Sequence, residues 1–144
     1  MDDLMSNLEK RPALKERCAL LIEDDIFCQK VQSHCLRELG YTVEVVSDAE
    51  TAINHIEQYV YNLIVLDLGL PGQSGELVIR ATREFETNYR TPLIVATAHA
   101  DAPMQQKCLY LGADVVFIKP FNKQTLARAI DFCHSRIEEL SRFN

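Results

Sequence analysis

From Cys18 onward the chain alternates short, nearly unbroken apolar runs with longer stretches in which apolar residues recur every three or four positions. The runs 18–23 (CALLIE), 42–46 (TVEVV), 62–67 (NLIVLD), 92–96 (PLIVA) and 114–118 (DVVFI) have the length and composition of strands. Four of them are almost continuously apolar, as expected of strands covered by helices on both faces. The intervening stretches are helix-sized, and the last, residues 122–140, carries Leu126, Ile130, Cys133, Ile137 and Leu140 along one stripe. Five strands alternating with five helices predict an α/β fold, an open parallel sheet flanked by helices.

Polar punctuation supports this reading. Ser47 and Glu50 have the spacing of a capping box opening the second helix, in which each side chain satisfies the other's orphan backbone amide. Gly40 and Gly112 fall where the first and fourth helices should end, at positions that favour a left-handed backbone. Asp101 with Pro103 marks the start of the fourth helix. Residues 1–17 form a prefix in which Leu4, Met5 and Leu8 recur at helical spacing until Pro12 interrupts them. An inter-domain linker is the expectation for this segment; a short helix packed on the domain, or in part an artificial addition, are the alternatives. Residues 18–144 then form one domain, with no room in this sequence for a DNA-binding or enzymatic second one.

Composition narrows the function classes. A chain of 144 residues with 47% hydrophobic content can bury one sizeable core. Fifteen basic against 21 acidic residues give a net charge of -6, and the prefix is balanced, so the excess belongs to residues 18–144. Unassisted nucleic-acid binding is therefore disfavoured, because duplex affinity rests on basic residues neutralising phosphates. The five cysteines (Cys18, Cys28, Cys35, Cys108, Cys133) are odd in number and contain no C-x-x-C pair, as expected of reduced thiols in a cytosolic protein. No apolar run approaches the roughly 20 residues that span a bilayer. Met1 to Glu9 is acidic and lacks a signal-peptide core, so the cytoplasm is the expected location and no membrane contact is expected.

Ligands of open α/β sheets bind beyond the carboxyl ends of the strands, where strand order reverses. The first strand ends in Glu23-Asp24-Asp25, the third in Asp67, the fourth in Thr97 and the fifth in Lys119-Pro120. If the first and third strands are neighbours, a carboxylate cluster, a hydroxyl and an ammonium meet at one edge. Carboxylates about 4 Å apart repel by about 4 kcal/mol at an effective dielectric of 20, so such a cluster calls for a cation. Oxygen-rich sites suit Mg²⁺ or Mn²⁺. One carboxylate can then act as nucleophile toward phosphorus while Lys119 and Thr97 hold the other oxygens, since phosphoryl transfer needs chiefly positioning and charge stabilisation. Singly, each residue has a plainer reading. The acids after the first strand could cap a helix, Asp67 could be a loop acid, Thr97 is commonplace, and Lys119 could be a solvated lysine. Their conjunction carries the argument.

With those residues in place, the chain resembles the receiver domains of two-component response regulators from about Cys18 to Leu140. The matching segments are A-L-L-I-E-D-D (19–25), L-I-V-L-D-L-G-L-P-G-Q-S-G (63–75), I-V-A-T-A (94–98) and G-A-D-V-V-F-I-K-P-F (112–121). The resemblance implies a flavodoxin-like doubly wound sheet of order 2-1-3-4-5. It implies a phosphoacceptor at Asp67, a metal (Mg²⁺ or Mn²⁺) on Asp24, Asp67 and the Gly69 carbonyl, and Glu23 acting through water. Thr97 and Lys119 take the positions of the phosphoryl-contacting pair. Lys119-Pro120 is expected cis, and Pro71 and Gly75 match the loop after the phosphorylation site. The implied partner is a histidine kinase or histidine phosphotransfer protein. The domain would have no conventional enzyme activity beyond catalysing its own phosphorylation and dephosphorylation.

The run Cys28-Gln29-Lys30-Val31 is similar to receivers fused to hybrid sensor kinases, where an Asn-Gln-x-Val run is common, with Cys28 replacing the asparagine. A hybrid-kinase receiver is the leading expectation and a free single-domain regulator the second. Phe27, Cys28 and Val31 are candidates for an apolar docking patch, unless half of them face the core.

One departure stands out. The family's switch position, three residues before the lysine, usually carries Tyr or Phe; here it is Val116, and Phe117 points to the opposite face. A domain acting mainly as a phosphoryl relay, with weak or unconventional conformational signalling, is expected. Gly69 and His99 occupy the positions that tune water access in this family, whereas His34, His55 and His134 lack metal-ligand spacing. A phosphatase of the haloacid dehalogenase type would need a second acid at Gly69 and a cap domain. A non-phosphorylatable receiver acting as a binding module is the remaining alternative.

Overall fold

The computed structural model describes residues 17–70, 74–98, 101–120 and 122–142, with side chains described to Arg136. Five strands, β1 (Arg17–Ile22), β2 (Tyr41–Val46), β3 (Leu63–Asp67), β4 (Leu93–Thr97) and β5 (Val115–Ile118), form one sheet. All pairings are parallel and the order is β2-β1-β3-β4-β5, as the resemblance implied. The helices are α1 (Ile26–Glu38), α2 (Ala49–Gln58), α3 (Ser74–Glu84), α4 (Ala102–Leu111) and α5 (Lys123–Arg142), with a short 3-10 turn at Glu86–Asn88. Arg17, assigned to the prefix from sequence, opens β1. The linker reading of residues 1–16 lies outside the described residues, as do Pro71, His99 and the side chains of Ile137 and Leu140.

Alternation along each strand divides the core into two layers. Leu20, Ile22, Ile64, Leu66, Leu93 and Val95 face α2, α3 and α4 through Ala52, Ile56, Val78, Ile79 and Cys108. Ala19, Leu21, Leu63, Val65 and Ile94 face α1 and α5 through Leu36, Leu126, Ala129, Ile130 and Cys133. Strands β1, β3 and β4 are buried on both sides, which is why they read as unbroken apolar runs. The edge strand β2 is only half-buried, which explains its polar Thr42 and Glu44. None of the five cysteines is disulfide-bonded; Cys108 and Cys133 are buried and the other three half-buried.

The helix punctuation holds with one correction. The cap of α2 is Asp48, whose carboxylate accepts from the Thr51 amide at 2.8 Å; the Ser47 box does not form. Aspartate one residue later offers an acceptor at the same reach, and the Ser47 hydroxyl instead lies 3.3 Å from Gln29 Nε2. Asp101 caps α4 as expected, with Pro103 in its first turn. Gly40 and Gly112 are the glycines with positive φ among the described residues. Gly112 has a second reason to be glycine: a Cβ there would lie 2.5 Å from Arg83 Cγ. Arg83 donates from Nε to the Gly112 carbonyl and from Nη1 to that of Thr91, both at 2.8 Å, and pairs with Asp114 at 2.9 Å. Asp114, expected to open the fifth strand, is thereby held just ahead of β5, where it also accepts from the Leu93 amide.

Candidate functional site

The sheet order makes β1 the neighbour of β3, with β2 on its other side, so the crevice beyond these strands is the point at which strand order reverses. In-register pairing of Ile22 with Leu66 brings the residues after β1 and the end of β3 to the same edge. Asp67 closes β3 and is buried there. Beyond β1 the three acids divide their work. Asp25 turns away to cap α1, accepting from the Cys28 amide at 2.8 Å, which holds its carboxyl below the ordinary value. Glu23 and Asp24 join Asp67: each offers an oxygen within 4.8 Å of the others'. Glu23 is fully buried and Asp24 exposed, so the cluster is open to solvent on one side only.

The strands on the far side supply the counter-charge. β5 pairs with β4 so that Ile118 lies opposite Thr97, and the Lys119 amide donates to the Thr97 carbonyl at 2.8 Å. The Lys119-Pro120 peptide is cis, as anticipated. The Lys119 side chain reaches the acids, its Nζ lying 2.5 Å from Glu23 Oε1 and 3.2 Å from Asp67 Oδ2. Thr97 ends β4 and is buried, next to Ala96, the β4 residue paired with Asp67. Gly69 presses on the cluster from the loop: its amide donates to Asp67 Oδ1 at 3.0 Å, and a Cβ there would sit 3.3 Å from the same oxygen. Gly75 lets α3 approach this loop, since a Cβ would come within 2.9 Å of the Leu68 side chain.

The electrostatics follow from crowding. Burial, reinforced by sharing a proton and repelling charge with Asp67, lifts the Glu23 carboxyl to about 7, although Lys119 pulls the other way. Burial opposes the Lys119 charge, yet its contacts with Glu23 and Asp67 outweigh that and hold it above the ordinary lysine value. One ammonium thus faces three carboxylates. An all-oxygen donor set, partly buried and with surplus negative charge, fits a hard divalent cation such as Mg²⁺.

Sequence reasoning missed two residues here. Gln29 Nε2 donates to the Glu23 carbonyl at 2.6 Å, and Gln32 Nε2 lies 3.4 Å from Glu23 Oε1. Gln32 is 7% exposed, and a polar residue on the buried face of an amphipathic helix was the signal available. Of the candidate docking patch on α1, Phe27 and Val31 are 73% and 43% exposed while Cys28 is half-buried; Ile26, not among the candidates, is 67% exposed beside them. Of the histidines, His34 pairs with Glu38 on the surface and His55 lies near Glu44, both away from the acids.

Residues 19–131 match the response regulator receiver domain family. The chain is 35% identical over 107 residues to the two-component response regulator PhoP of Pseudomonas aeruginosa, covering 74% of this chain and 47% of PhoP. It is 30% identical over 146 residues to probable histidine kinase 2 of Oryza sativa subsp. indica, covering 90% of this chain and 14% of that protein. The chain thus spans less than half the length of these curated relatives. Among solved structures it is similar to the receiver domain of the sensor histidine kinase PA1611 from Pseudomonas aeruginosa, with a TM-score of 0.73 and 34% identity. That alignment covers 80% of this chain and 94% of the other, whose active-site cleft holds a coordinated magnesium ion. No helix among the described residues is long and apolar enough to cross a membrane.

Proposed function

The chain belongs to the response regulator receiver domain family of two-component systems, and from that premise we propose that it accepts a phosphoryl group on Asp67 from a phosphohistidine donor. The convergence of Glu23, Asp24, Asp67 and Lys119 at the strand-order reversal carries this reading. Asp24, Asp67 and the Gly69 carbonyl would hold Mg²⁺ or Mn²⁺ directly, with Glu23 acting through water. The bound cation supplies positive charge against the phosphoryl oxygens, so that two anions can approach. An Asp67 oxygen forms the bond to phosphorus as the bond from phosphorus to the donor imidazole breaks, and the electron pair stays on the departing nitrogen. Lys119 and Thr97 hold the remaining phosphoryl oxygens as charge moves between them.

The donor is a histidine kinase or a histidine phosphotransfer protein, and Ile26, Phe27 and Val31 offer it an exposed apolar surface beside the acids. Similarity to the PA1611 receiver and to a plant histidine kinase over 90% of the chain supports a receiver of the hybrid-kinase kind; a cytoplasmic location, with residues 1–16 as linker, goes with that proposal. A binding module that never carries phosphate would have no use for a buried acid pair neutralised by one lysine.

Beryllium fluoride with Mg²⁺ tests the reading, because the adduct forms on a carboxylate that accepts phosphate. Protein-bound fluorine resonances should appear with the wild-type chain and Mg²⁺, and vanish with EDTA or with Asp67→Asn. Absence of an adduct on the wild-type chain at saturating Mg²⁺ overturns it.

A further inference from the structure

Glu23 is the most constrained acid of the cluster. Its carboxylate is fully buried and takes hydrogen bonds from three directions: Lys119 Nζ at 2.5 Å and Gln32 Nε2 at 3.4 Å on Oε1, and the Asp25 amide at 3.3 Å on Oε2. Its backbone is fixed as well, the amide donating to Val46 O at 3.0 Å and the carbonyl accepting from Gln29 Nε2 at 2.6 Å. Gln29 and Gln32 are three apart on α1 and so lie on the same side of it. Both amides are spent on a single residue, save for the 3.3 Å approach of Gln29 to Ser47.

Lys119 has two calls on it. Here it is bound to Glu23 and close to Asp67, but the transfer to Asp67 needs an ammonium on the phosphoryl oxygens. When Lys119 swings there, Glu23 loses its shortest contact while remaining buried and keeps only the long bonds from the Asp25 amide and Gln32; a buried carboxylate so weakly partnered is disfavoured. Gln32 is the other side chain on the same oxygen. At 3.4 Å its hydrogen bond is longer than the optimum, which leaves room for it to tighten as Lys119 withdraws. A buried glutamine where an apolar residue would pack as well is accounted for by this one contact.

We propose that Gln32, seconded by Gln29, is a positioning residue that keeps the Glu23 carboxylate aimed at the cation, freeing Lys119 to move to the phosphoryl group. The inference rests on the phosphoacceptor reading of the site. It makes α1, whose outer face carries Phe27 and Val31, the mechanical continuation of a metal-binding acid.

The test is Mg²⁺ titration, followed by amide resonances, of the wild type, Gln32→Met, Lys119→Met and the double variant. Methionine keeps the volume and removes the donor. Supporting residues around metal ligands typically change affinity by about 10–100-fold, and the long hydrogen bond places Gln32→Met near 10-fold weaker binding. In the Lys119→Met background, where Gln32 alone holds Oε1 from a side chain, the same substitution should cost several times more. A purely structural glutamine would lower metal-free stability while leaving Mg²⁺ affinity unchanged and the cycle additive; that outcome overturns the proposal. If Gln32→Met fails to fold, Gln32→Asn, which retains the amide on a shorter arm, replaces it and should weaken binding in the same order across the two backgrounds. Should the wild type itself bind no Mg²⁺, the reading of the site falls; should it bind and the variants match it, the positioning role alone falls.

Discussion

Val116 is the residue at which the proposed relay departs from the aromatic that receivers usually carry. It sits in β5 and packs into the layer of Met104, Cys108 and Leu111, whereas Phe117 packs into the opposite layer with Leu126 and Ile130. Among the described residues, the β5 position that the resemblance pairs with the hydroxyl residue thus carries an aliphatic side chain and not an aromatic ring. The beryllium fluoride adduct should shift amides near Asp67, Thr97 and Lys119 while leaving α4 and the middle of β5 little changed in heteronuclear spectra. Large shifts across α4 and β5 would refute this. At this scale the sequence was legible as to which strand-end side chains meet, as for Asp24, Asp67 and Lys119. It was not legible for Gln32, because an amide at a helix position reveals its partner only once α1 is laid against the end of β1. Residue type alone could not say which of Glu23, Asp24 and Asp25 caps the helix, because that depends on the direction in which the chain leaves the strand.

The helices carry the next level of argument. α2 begins at Asp48, whose carboxyl is held below the ordinary value by the Thr51 amide and hydroxyl. A carboxyl lowered on folding binds fewer protons in the native state than in the unfolded one. Its stabilising effect is thus fully present above the unfolded value, 3.8, and is lost as pH falls through the native one. Asp48→Asn keeps a capping acceptor without the charge. In urea titrations the wild type should be the more stable at pH 7, and the difference should shrink to nothing as pH drops below the ordinary carboxylate range. A difference independent of pH would show that the charge plays no part. Element existence and type were readable because each strand is buried on both faces or pinned at an edge. The ends shifted by a residue where a side chain outside the periodic pattern decided them, as Asp114 is drawn out of β5 by Arg83 and Asp48 displaces Ser47 as cap.

For the molecule as a whole, the order β2-β1-β3-β4-β5 turns four separate strand ends into one site. Parallel pairing sends every carboxyl end to the same edge, and the reversal at β1 opens a crevice beside Asp67. The net charge of -6 has a local counterpart there, three carboxylates against one lysine, an imbalance that the proposed divalent cation would offset. What the apolar periodicity left open at this scale was the pairing of strands, since order in space is fixed by long-range packing and not by any one run; the family resemblance supplied the order that the sheet has. The direct measurement is transfer of labelled phosphate from a phosphorylated histidine donor, with the modified residue located by mass spectrometry after borohydride trapping. The account predicts Mg²⁺-dependent label on Asp67 in the wild type and loss to background in Asp67→Asn; label that persists in Asp67→Asn, or falls on another residue, would contradict it.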